Sequence, residues 1–161
     1  MKTLIHSLIK QSIIAIAFMS SSCVDIDNKS NIDNTLYHYN ISLLENKMEL
    51  LNIRNKEQIA KHIYKNIDMK HYDDIIAIIY KESRGDTLAF NGHDYGLMQI
   101  NKQHKFDRNQ IFNTEYNLIV GYNIFLDCCS VNYDKRFKLY NGSDVYQRSI
   151  NRIIRRLNEN S

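Results

Sequence analysis

Glu82-Ser83 closes an apolar stretch, and twelve positions beyond Glu82 the chain reads Asp94-Tyr95-Gly96-Leu97-Met98-Gln99-Ile100-Asn101. That pairing points to cleavage of a glycosidic bond. The reaction needs an acid to protonate the departing oxygen while positive charge grows on the sugar ring, and the acid must still hold its proton near neutral pH. Ile75, Ile76, Ile78 and Ile79 recur at helical spacing, and Glu82 falls seven positions after Ile75 and four after Ile78, on the same face. A carboxyl group on that face points inward, where desolvation disfavours its charged form and raises its pKa.

The segment after Glu82 supplies groups of the kind a sugar needs. Gly96 lets the backbone pass close to a ring, Met98 offers a flexible apolar wall, and Gln99 carries both a donor and an acceptor. Leu97 and Ile100 read as core with Met98 and Gln99 facing the cleft, the plainer alternative being a buried loop that takes Met98 into the core as well. Asp94 is either a turn or cap residue or a second carboxylate for the chemistry. Taken alone, Tyr140-Asn141-Gly142 is a turn.

Glu82-Ser83, then Gly96-Leu97-Met98-Gln99-Ile100, then Leu139-Tyr140-Asn141-Gly142, in that order, resemble the lytic transglycosylase and lysozyme superfamily, and Asn117-Leu118-Ile119-Val120-Gly121 resembles the helix between the last two motifs. The resemblance covers roughly residues 55 to 157. It implies a mainly α, lysozyme-like single domain with a substrate cleft and at most a small β-hairpin. The implied substrate is the peptidoglycan glycan strand, with Glu82 as the catalytic acid. It further implies that Ser83 steadies the acid or touches substrate, although a helix-end hydroxyl also commonly bonds backbone. By the same likeness the Tyr140 hydroxyl would bond the acid, and Asn141 would bind or position substrate.

Two outcomes follow from that chemistry. Lytic transglycosylases use one glutamate as acid and then as base, drawing a proton from the sugar's own 6-hydroxyl to close an anhydro ring. Animal-type lysozymes add an aspartate, and Asp94-Tyr95-Gly96 resembles theirs. The segment from Glu82 to Asp94 is short, and the expectation is that it does not fold back into a sheet placing Asp94 across the cleft. Transglycosylation is therefore the preferred reading and hydrolysis by Glu82 and Asp94 the alternative. A wall-binding protein without turnover is a further alternative, because Tyr95 and Leu139 are bulkier than the family's residues there and could narrow the cleft.

The rest of the sequence bounds these readings. The chain has 161 residues, one domain's worth, with 21 basic and 18 acidic residues; without Lys2 and Lys10 the balance is 19 to 18. That balance gives no reason to expect a nucleic-acid partner. Residues 1–22 read as an export signal: Lys2 and Lys10 flank the start, Ser12 to Met19 is apolar, and Ser20-Ser21-Ser22 precedes Cys23. Cys23 in that place resembles a lipoprotein site, which implies a lipid anchor and a periplasmic or cell-envelope location. Cys128 and Cys129 are adjacent, so a bridge between them would be strained, and no nucleophile signature surrounds them. No cofactor is called for, and His62, His71 and His93 lack metal-ligand spacing.

Residues 23–40 are polar and aperiodic and are expected to form a flexible tether, with the catalytic domain at 41–161. Helices are expected at about 42–51, 56–67, 73–83, 115–128 and 144–158. The fourth is expected to be the central packing element, with Leu118, Ile119, Tyr122, Phe125 and Leu126 buried and Gly121 allowing close approach. The last buries Tyr146, Ile150, Ile153 and Leu157 and turns Arg148, Arg152, Arg155 and Arg156 outward. Asn91-Gly92 is a turn signal able to join two short strands.

Overall fold

The computed structural model describes residues 26–159, so the export signal and Cys23 lie outside the described residues. Two units are distinguished, residues 1–39 and 40–161. In the first, the described residues form the opening part of helix α1, Ile26–Glu49, in which Ile32 and Leu36 are exposed. The expected flexible tether is thus helical from Ile26 onward. Aperiodicity in a sequence says that no face is set apart for burial; it does not prevent a helix where neither Gly nor Pro interrupts the chain, as here from 26 to 49.

The second unit is mainly α-helical with one small antiparallel sheet. After the remainder of α1 come α2 (Lys56–Asn66), a 3-10 turn (Met69–His71), α3 (Tyr72–Glu82), β1 (Asp94–Tyr95), β2 (Ile100–Asn101), α4 (Thr114–Val131), a second 3-10 turn (Tyr133–Lys135), α5 (Arg136–Asn141) and α6 (Asp144–Glu159). Ile41, Leu44 and Met48 from α1 join Ile59 and Ile63 from α2 in the core. The helix buried all round is α3, in which residues 75 to 79 are each fully enclosed. The expectation that α4 is the central packing element holds in what it touches, since α4 packs against α2, α5, the second 3-10 turn and β2, but its buried side is not the expected one. Ile119 of α4 is 37% exposed, Tyr122 and Leu126 are half-buried, and the buried α4 side instead runs through Asn117, Leu118 and Phe125 with Gly121.

Helix ends follow local chemistry. Asp73 and Asp74 occupy the first turn of α3, where the helix dipole favours negative charge. Asn113 caps α4, its side chain accepting from the Tyr116 amide at 2.9 Å. The short helix α5 carries no periodic apolar signal, and tertiary contacts hold it. Arg136 at its start grips buried Asp74 through Nε at 3.1 Å and Nη2 at 3.0 Å, and its guanidinium lies over the Tyr133 and Phe137 rings. The first turn of α3 is thereby tied to the helix that ends in Tyr140-Asn141.

Candidate active site

Glu82 is the last residue of α3, and the chain reverses immediately after it. The amides of Ser83 and Arg84 both donate to the Ile79 carbonyl at 3.0 Å, and Arg84 and Gly85 take left-handed backbone angles, φ 55° and 82°. Gly85 has to be glycine. A Cβ there would sit 2.2 Å from the Arg54 carbonyl oxygen. Ser83 is buried, its hydroxyl donating to the Leu97 carbonyl at 2.7 Å and accepting from the Gly85 amide at 3.2 Å. It is therefore not a substrate-contacting residue; it pins the helix end to the turn between β1 and β2.

That turn is itself held by one buried amide, which in the sequence is marked only as the start of a helix motif. Asn117, fully buried on α4, accepts from the Met98 amide at 2.8 Å and donates to the carbonyls of Tyr95 at 2.8 Å and Ile111 at 2.9 Å. Its signal was an amide on an otherwise apolar helix side, since buried polar groups are nearly always bonded. Gly96 serves this clamp: with φ 70°, a Cβ would lie 2.4 Å from Asn117 Nδ2. Its tolerance for close approach is used by protein and not by a sugar. Met98 is likewise core, fully buried, with its Sδ where a Cβ on Gly121 would come within 2.5 Å. The close approach expected at Gly121 is present, whereas the wall role expected of Met98 is not.

The hairpin pairs Asp94 with Asn101 and Tyr95 with Ile100, and a further bridge joins Phe90 to Tyr95 across Asn91-Gly92. Short as it is, the segment after Glu82 does fold back, contrary to expectation, because Asn91 closes it. The Asn91 Oδ1 accepts from the amides of His93 and Asp94 at 3.0 and 2.9 Å, a side chain standing in for a backbone turn. Asp94 consequently lines the same pocket as Glu82, together with Gln99, Tyr140 and Asn141. Ile100, Asn101, His104 and Ile124 complete a cavity of about 220 Å³. Tyr95 turns to the other side of the strand, against Phe90, Phe106 and Phe112. Neither Tyr95 nor the exposed Leu139 lines the pocket, so their bulk does not narrow it.

Each pocket group has a defined setting. Both carboxylate oxygens of Asp94 are held, Oδ2 by Asn91 Nδ2 at 2.8 Å and Oδ1 by Asn101 Nδ2 at 2.6 Å. Gln99 sits at φ 48°, and its Nε2 donates to the carbonyls of Ala89 at 3.1 Å and Gly96 at 2.9 Å. The Tyr140 hydroxyl donates to the Met98 carbonyl at 3.3 Å instead of to the acid, which corrects its expected role. Burial and the nearby Glu82 charge raise its pKa, so it stays a neutral donor.

The tyrosine beside the acid is Tyr146 of α6, which sequence reading had assigned only to the core. Its hydroxyl and Glu82 Oε1 are both buried without a hydrogen bond of ordinary geometry, yet the hydroxyl is close enough to favour the charged carboxylate. Burial acts more strongly in the opposite sense. Desolvation, with a smaller contribution from Asp94, raises the Glu82 pKa from 4.5 to about 7, while Tyr146 and Lys81 offset part of that rise. Opposite shifts are expected from two substitutions. Tyr146→Phe removes a group favouring the anion and should move the ionisation of Glu82 upward, while Asp94→Asn removes a repelling charge and should move it downward. Carboxyl titration of Glu82 by NMR reads both; a shift of the same sign in the two variants would refute this account of the site.

No family model, curated protein or solved structure matches the chain. What fold and site define together is a mainly helical domain in which a carboxylic acid, protonated up to about neutral pH, faces a polar pocket beside a second carboxylate.

Proposed function

We propose that the chain is a lysozyme-like peptidoglycan lytic transglycosylase that cleaves the β-1,4 bond between N-acetylmuramic acid and N-acetylglucosamine. The observation that carries this reading is Glu82 itself: half-buried, with a pKa raised to about 7, at the wall of a pocket shared with Gln99, Tyr140 and Asn141. In the first step the Glu82 carboxyl gives its proton to the bridging oxygen, the C1–O bond breaks, and positive charge develops on the muramyl ring. In the second the Glu82 carboxylate takes the proton of that ring's 6-hydroxyl as O6 bonds to C1. The glutamate ends as it began, and no water is consumed. The cavity is smaller than the roughly 300–1,000 Å³ that encloses a whole drug-sized ligand, which suits a strand that inserts only its reacting linkage.

A second reading is favoured by one observation. Asp94 lines the same pocket, its oxygens fixed by two asparagine amides. A desolvated acid opposite a carboxylate in a polar, hydrogen-bonded setting is the pairing used for hydrolysis in lysozyme. Purified sacculi digested with the protein, followed by mass analysis of released muropeptides, discriminates the two. Anhydro ends are expected, reducing ends would transfer the assignment to a hydrolytic muramidase, and no release would leave only a wall-binding role. Asp94→Asn provides an independent check, measured as the initial rate of release. It should leave anhydro-end production within about tenfold of normal, whereas a hydrolase relying on Asp94 would lose on the order of a hundredfold or more.

The proposed location is the cell envelope, with the chain exported and held by a lipid on Cys23. Fatty-acid labelling that is lost in Cys23→Ser supports the anchor; absence of label in the unaltered protein removes it.

A further inference from the structure

We infer that the exposed face of α6 is a docking surface for a bilayer carrying anionic phospholipid headgroups. Arg148, Arg152 and Arg155 follow one another at steps of four and three residues and are all exposed, opposite buried Tyr146, Ile150 and Leu157. At the helical rise they form a row about 10 Å long. Val145, 66% exposed, continues the row toward the start of the helix with an apolar side chain.

The charge is local. The chain's 21 basic and 18 acidic residues nearly cancel, yet α6 carries four arginines against Asp144 and Glu159. Asp144 is bonded to Lys138 at 2.8 Å, which leaves Glu159, at the far end of the helix, as the acidic residue of α6 outside that pair. Arg156 donates to the Leu50 carbonyl at 2.8 Å and is not counted in the row. Guanidinium groups pair well with phosphate because their fork of N–H donors matches two oxygens at once.

The form of the row selects the partner. It lies along the exposed side of α6, and no residue of α6 lines the pocket, so it fits a broad flat surface better than a strand in a groove. The sequence expectation of an exported, Cys23-lipidated chain supplies such a surface. The arginines then give the catalytic unit a reason to lie against it. Attraction of basic residues to an anionic leaflet corresponds to about fivefold in binding for each arginine, on the order of a hundredfold for the three.

The test uses residues 24–161, which include every described residue and exclude the expected export segment and acyl site, mixed with phosphatidylcholine vesicles with and without phosphatidylglycerol. Binding is expected only to vesicles containing phosphatidylglycerol and should weaken as salt rises. Arg148→Gln, Arg152→Gln and Arg155→Gln combined should lower it by on the order of a hundredfold, with thermal unfolding and sacculus digestion unchanged. Equal binding to neutral vesicles, or undiminished binding by the triple variant, overturns the inference. So does loss of sacculus binding in place of vesicle binding, which would assign the row to an anionic wall polymer. A chain that released nothing from sacculi would leave this measurement intact, so the two proposals fail separately.

Discussion

Glu82→Gln is expected to abolish release of muropeptides from sacculi while making the folded protein more stable at alkaline pH. The loss of activity follows from the proposed double duty of one carboxyl group. A positioned general acid or base contributes about a hundredfold to ten-thousandfold, and an amide can neither give nor take the proton in either step. A fall of at least about a thousandfold is the expected result.

The stability change has the opposite sign. Glu82 has a folded pKa of about 7 against 4.5 for an unperturbed glutamate. Below the lower value both folded and unfolded forms are protonated, and the group has no effect. As pH rises from about 4.5 to 7 the unfolded chain ionises first, so stability is progressively lost, and above 7 the full cost of burying the charge is present. That cost is at most about 3 kcal/mol, reduced by partial solvent access. Glutamine escapes it. Chemical denaturation of both proteins at about pH 4 and about pH 8.5, on either side of this range, should give matching stabilities at the first and a more stable variant at the second. Full-rate cleavage by the variant would sink the assigned chemistry; equal stability at both pH values would refute the desolvated setting of Glu82.

The second large effect is expected at Asn117→Ala, with a loss of about 4 kcal/mol in unfolding free energy. The substitution strips partners from the buried Met98 amide and Ile111 carbonyl, each costing about 1–3 kcal/mol when left unbonded, and from the part-buried Tyr95 carbonyl, which adds less. A typical domain has only about 5–15 kcal/mol in total. Asn117→Asp separates hydrogen bonding from volume. It keeps the acceptor for Met98 but opposes two carbonyls with an oxygen, so it should be at least as damaging as alanine although its size is nearly unchanged. Urea unfolding checks both, and an aspartate variant as stable as the original would rule out the clamp.

The positions of most helices were legible because they rest on local information. Isoleucines at 75, 76, 78 and 79 bounded by Asp73-Asp74 and Gly85 fix α3 to within a residue or so, and the Tyr146, Ile150, Leu157 spacing fixes the buried side of α6. Helix α5 and the first half of α1 were not legible. The first owes its place to the Arg136–Asp74 pair, 62 residues apart in sequence, and the second has no apolar period to read.

The candidate site divides along the same line. Residue type and spacing point to Glu82, Asp94 and Gln99, the family resemblance alone points to Tyr140 and Asn141, and all five line one pocket. Gly96 and Met98 carry chemistry that suits a sugar yet form the structure beneath the pocket, and of the two roles open to Ser83 the structure shows the hydroxyl that bonds backbone. Side-chain type says what a residue can do, while burial decides whether it meets solvent.

Residue order by itself determined that an acid would stand at the end of an apolar helix, with a desolvated carboxyl as the consequence, because helical periodicity within eleven residues is enough to assign a face. Only the tertiary structure decided which groups answer that acid. Asp94 reaches it through a turn closed by Asn91, Tyr146 reaches it from a helix 64 positions further along the chain, and Tyr140 is drawn away to the Met98 carbonyl. Such partnerships depend on packing between segments far apart in sequence, where small differences in geometry select one hydrogen bond over another and no local pattern records the choice.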